Sequence, residues 1–160
     1  MKIEVEGGDT AKKLEQLKEM IQYLKSHDVA VGIPTSVAQE EDNGDLPTIA
    51  AALEYGTSRI PARPFLRQTI SENRKKYGDM LKSWRGDTKE TAAHALELIA
   101  KQAQADVQDN IVNGNWVKNS KAVYEPKLKK GSNGGNPRPL INNGRLHQSI
   151  KGLVVKKGVF

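Results

Sequence analysis

The chain has no cysteine in its 160 residues, so it forms no disulfide and offers no thiolate to a metal. Aromatic residues are scarce, at two Phe, two Trp and four Tyr. With 37% apolar residues and 14 Gly, part of the chain is expected to lie outside any core. No apolar run approaches the about 20 residues that cross a bilayer. The opening Met1-Lys2-Ile3-Glu4-Val5-Glu6 alternates and carries acids, unlike the apolar centre of a signal peptide. These absences predict a soluble chain made in a reducing compartment, with no membrane partner and no cofactor. The net charge of +6, from 25 basic and 19 acidic residues, favours polyanions but is too modest to choose a partner.

What is present reads as one α+β domain over residues 1–160. Ile3 and Val5 share one face of a short strand over 2–6. Asp9 or Thr10 can cap a helix to about residue 26, with Leu14, Leu17, Ile21 and Leu24 as a core-forming stripe. Val29–Ile33 reads as a buried strand, and the strand–helix–strand order allows parallel pairing. Thr48 can cap a helix over 49–55. Two long helices follow, about 64–84 and 88–111. The first carries Leu66, Ile70, Tyr77, Leu81 and Trp84; the second carries Leu96, Ile99, Ala103, Val107 and Ile111. A last strand covers about 150–156. The expected architecture is a small mixed sheet packed on two or three long helices, with a long, flexible, basic loop at 114–143. That loop is rich in Gly, Asn, Pro and Lys and reads as disordered.

The candidate chemistries are thin. Glu40, Glu41, Asp42 and Asp45 form an acidic run, but the register lacks the central glycine and closing glutamate of a calcium loop. His27, His94 and His147 are scattered. His147 and Ser149 share a face if residues 145–150 are extended, with no third group to orient them. Gly131–Gly135 is glycine-rich but does not lead from a strand into a helix, so it is no phosphate cradle. No catalytic, cofactor or metal residue is assigned, and no enzyme is expected. The basic loop offers Lys118, Lys121, Lys127, Lys129, Lys130, Arg138 and Arg145 as candidate DNA contacts, tracking phosphates without reading sequence. The alternatives are a non-specific nucleic-acid-binding module and an ordinary solvated linker.

The densest signal is Ala52–Leu66. Gly56 can close one helix in the left-handed conformation, Pro61 and Pro64 stiffen the backbone, and Pro64 suits the start of the next helix. The product is a stiff elbow bearing Arg59, Arg63 and Arg67. No catalytic step needs this set of residues, whereas a rigid docking surface does. Tyr55, Arg59, Arg63 and Phe65 are its candidate assembly contacts, the alternative for Arg63 being a brace tied to a carboxylate or to helix carbonyls.

Three blocks carry a resemblance: Val31-Gly32-Ile33; Ala50–Phe65 with its Glu-Tyr-Gly-Thr and Ile-Pro-Ala-Arg-Pro-Phe-Leu pieces; and Leu140–Ile150. Together they resemble the neck and tail-completion proteins of tailed bacteriophages and prophages, the virion-morphogenesis or minor-tail group. The blocks cover about a third of the chain, and Asn143 stands where that group usually has Thr. The resemblance implies a non-catalytic structural protein for head–tail joining. It would self-associate into an oligomeric ring and contact other neck or tail subunits and DNA in the channel. It implies assembly in the bacterial host cytoplasm and a final place in the virion neck or tail. Some members of that group carry a further C-terminal strand, which this sequence, stopping soon after its own last strand, is expected to lack.

Overall fold

The computed structural model describes residues 7–34, 36, 46–120, 138–141 and 144–158. Among them the chain forms α1 (Gly7–Ser26), β1 (His27–Gly32), α2 (Leu46–Tyr55), α3 (Phe65–Ser83), α4 (Lys89–Asn113), α5 (Arg145–Ser149) and β2 (Lys151–Lys156). The architecture is α+β. The expected strand at 2–6 and the acidic run at 40–45 lie outside the described residues.

Helix α4 organises the rest. Thr88 caps it: its hydroxyl accepts the Thr91 N–H at 3.3 Å, and Thr91 Oγ1 accepts the Thr88 N–H at 3.2 Å. Leu96, Ile99, Ala103, Val107 and Ile111 recur every three or four residues, and all are buried. Burying a side chain such as Val107 or Ile111 contributes about 1.5–3 kcal/mol. Around α4 pack α3, α1 and both strands. Phe65, Leu140, Leu146 and Ile150 join Val107 and Ile111 in the core, with Val31 and Ile33 beside them.

The parallel pairing that the sequence allows between 2–6 and 29–33 involves a strand outside the described residues. Among the described residues β1 pairs antiparallel with β2, with Val29 opposite Val154 and Val31 opposite Gly152. At Gly152 the strand rides on α4. A Cβ there would run into the Ala100 carbonyl, and the Gly152 N–H donates to Gln104 Oε1 at 2.9 Å. Only glycine permits this approach of strand to helix.

Several boundaries also move. Helix α1 begins at Gly7, so Asp9 sits in its first turn and pairs with Lys13 at 2.8 Å. Helix α2 begins at Leu46, which places Thr48 inside it. Residues 145–149 form a helical turn, so the extended backbone that would put His147 and Ser149 on one face is not present there. The stripe assigned to the core from α1 is not covered: Leu14, Leu17 and Ile21 are exposed, while Met20 is buried. Ile70 and Leu81 of α3 are likewise exposed.

Candidate functional site

The elbow between α2 and α3 is held by hydrogen bonds from both helices and from the turn itself. Helix α2 ends when Gly56 turns left-handed, with φ +77°. A Cβ there would also lie 2.8 Å from the Ala62 nitrogen, so conformation and space both require glycine. Thr57 then folds the next residues. Its N–H donates to the Ile60 carbonyl at 2.8 Å, and its hydroxyl accepts the N–H groups of Arg59 and Ile60 at 3.2 and 3.0 Å. The Arg63 N–H donates to the Leu53 carbonyl at 2.7 Å, closing the corner just before Pro64 and Phe65.

Helix α3 starts with no capping side chain of its own and no acid in its first turn. The N–H groups of Leu66 and Arg67 are satisfied instead by Glu54, the last residue but one of α2. One Glu54 carboxylate oxygen accepts the Leu66 N–H at 2.9 Å. The other accepts the Arg67 N–H at 2.9 Å and Arg67 Nε at 3.0 Å. Arg67 also donates to the Glu54 carbonyl at 3.2 Å. Glu54 is only 4% exposed, and its charge meets the positive end of the α3 dipole as well as the guanidinium. The same guanidinium lies 4.7 Å above the Tyr55 ring. An acid and a base thirteen residues apart thus join two helices.

Arg63 corrects the reading of this motif as an outward contact. It is 3% exposed. Its Nε donates to the Val117 carbonyl at 3.0 Å, and its terminal nitrogen donates to Asn119 Oδ1 at 3.1 Å. Burial pushes its pKa down from the ordinary arginine value. The cation lies just past the end of α4, whose last turn has no basic residue, where a positive charge is favoured. Phe65, 2% exposed, belongs to the core beside Val107 and Ile111. Arg63 and Phe65 therefore brace the elbow from within. Tyr55, 66% exposed, and Arg59 face outward, with Ile60 beside Arg59.

The basic segment is held at both of its described ends. Trp116 Nε1 donates to the Asn110 carbonyl at 2.9 Å, Arg63 holds Val117 and Asn119, and Leu140 lies in the core. Residues 114–120 and 138–141 thus differ from the disordered loop expected there. Of the candidate DNA contacts, Lys118 is exposed and Arg138 and Arg145 are half-buried. Lys121, Lys127, Lys129 and Lys130 lie outside the described residues. Helical residues two apart point to different sides, so α5 does not align His147 with Ser149. Ser149 is buried, and the His147 carbonyl accepts Gln108 Nε2 at 2.9 Å.

A polar cleft of about 250 Å³ runs along the α3–α4 seam. Its groups satisfy one another. Asp106 accepts from Lys76, Tyr77 and Gln102; Glu72 accepts from Gln68; Asp109 accepts from Asn113. Asn110 donates to Thr69 Oγ1 at 2.7 Å and to the Phe65 carbonyl at 3.3 Å. The cleft is a hydrogen-bonded seam between helices. Among the described residues no cluster of three or more His, Cys, Asp or Glu is placed to hold a metal, and no helix is long and apolar enough to cross a membrane.

Sequence reasoning missed the role of Glu54. Its signal was available: a helix start without its own cap or acid, preceded by a glutamate two residues before the glycine stop. No protein-family model, curated protein or solved structure matches the chain.

Proposed function

We propose that this chain is a non-catalytic structural protein of a tailed phage or prophage, completing the tail or joining tail to head. The observation that carries the reading is the elbow. The block that resembles the neck and tail-completion group, Glu54 to Leu66, is also the block whose polar side chains are spent on fixing one corner. Glu54 and Arg63 act inward, and Gly56 makes the turn possible. Tyr55, Arg59 and Ile60 remain on the outside of a corner that does not have to order on contact, which lowers the entropic cost of docking. On this reading the chain is a ring subunit whose partners are neighbouring neck or tail proteins. The channel DNA is the partner assigned to the basic segment.

The test is complementation in a phage or lysogen that carries the chain. Tyr55→Ala combined with Arg59→Ala should lower stability by no more than about 1 kcal/mol, because both side chains are exposed and the stack of Tyr55 on Arg67 is a surface contact, and should lower the yield of infectious particles by about tenfold or more. Normal titre from this double variant would remove the elbow from the assembly account.

A further inference from the structure

Helix α1 carries a second apolar face that nothing among the described residues covers. Met20 is buried, and Tyr23 and Leu24 are half-buried. Leu14, Leu17 and Ile21 lie to one side of that face, 54%, 41% and 41% exposed. At about 100° per residue, Leu14, Leu17 and Ile21 fall within about 60° of one another. With Leu24 they keep the three–four–three spacing of the a and d positions of a coiled coil. This is the width of a seam for one helix; a helix lying on a lipid surface presents a broader face.

The charges beside the seam are of one sign. Lys13 borders it on one side, Lys18 and Lys25 on the other, at positions corresponding to g and e. Glu15 and Glu19 lie further round the helix. Lys13 and Lys18 also contact Asp9 and Glu15 within α1, at 2.8 and 3.3 Å. Such exposed pairs contribute little and leave both ammonium groups available to another carboxylate. A second copy of α1 would set lysine against lysine across this seam.

We propose that the exposed seam of α1 docks an amphipathic helix of another protein, with aliphatic residues at its a and d positions and acids at e and g. The aliphatic contacts supply the affinity, and the lysines select the acidic partner. This surface is separate from the elbow and does not depend on the assembly role.

The experiment uses the full chain and a fluorescein-labelled peptide of about four heptads with Leu at a and d and Glu at e and g, followed by anisotropy. Saturable binding is expected. It should be about tenfold weaker for the same peptide with Lys at e and g, and about tenfold weaker for Leu17→Gln or Ile21→Gln chains whose melting temperature is unchanged. Equal binding of the two peptides, or none of either, overturns the proposal. So does sedimentation showing a dimer of the chain that Leu17→Gln dissociates. Binding to phosphatidylcholine vesicles containing about 30% phosphatidylglycerol, lost in Leu17→Gln, with no preference for the acidic peptide, assigns the seam to a membrane and likewise overturns it.

Discussion

Glu54 holds Arg67 twice, accepting its backbone N–H at 2.9 Å and its Nε at 3.0 Å through the same carboxylate oxygen. Through this pair the last turn of α2 becomes the cap of α3. Glu54 is 4% exposed, so replacing it leaves the Leu66 and Arg67 N–H groups without their acceptor inside the protein. Glu54→Ala should cost about 2–4 kcal/mol of unfolding free energy and Glu54→Gln about half of that. Arg67→Ala should cost about 1 kcal/mol or less, because the arginine side chain is 57% exposed. Urea unfolding of the three variants checks the order. A Glu54→Ala chain as stable as wild type would contradict the latch.

Arg63 and Arg59 sit four residues apart in one motif and should behave oppositely. Arg63→Ala removes the donors to the Val117 carbonyl and Asn119 and should destabilise by about 2–3 kcal/mol. Arg59 is exposed, and Arg59→Ala should stay within about 0.5 kcal/mol of wild type. Equal urea midpoints for the two variants would contradict the inward role of Arg63.

The α3–α4 seam sets an acid limit to stability. Burial alone raises the pKa of the Asp106 carboxyl. Hydrogen bonds from Lys76, Gln102 and Tyr77, with the charge of Lys76, outweigh it and hold Asp106 below the ordinary carboxylate value. A group depressed in this way contributes stability above its unfolded pKa and loses it as pH falls through the folded one. Tyr77 is shifted the other way: burial and the Asp106 carboxylate hold its hydroxyl well above the ordinary tyrosine value. Its contribution is present at neutral pH and lost as pH rises into the alkaline range. Melting temperatures of wild type and Asp106→Asn, followed from about pH 6 to 2, should converge as pH falls. Parallel curves would contradict this.

The helices were legible in the sequence because period alone reveals an apolar face. The stripe from Leu96 to Ile111 was readable and is buried. The same rule applied to Leu14, Leu17 and Ile21 gave a helix correctly and its burial wrongly, since periodicity does not say what covers a face. The antiparallel pairing of β1 with β2 brings Val29 opposite Val154, and Gly152 seats on Ala100 fifty-two residues away; neither contact carries a local signature. At the elbow the turn residues were readable from Gly56, Pro61 and Pro64. Which arginine turned inward was not, because that depends on where the end of α4 lies, at Val117 and Asn119.

The proposed role in virion assembly can be tested by deletion. The most direct measurement is electron microscopy of lysates from a phage or induced lysogen in which this chain alone is deleted, with the intact chain restored as control. The account predicts filled or emptied heads and separate tails in place of joined particles, with joining recovered on restoration. Complete, infectious particles at the normal yield without the chain would contradict it.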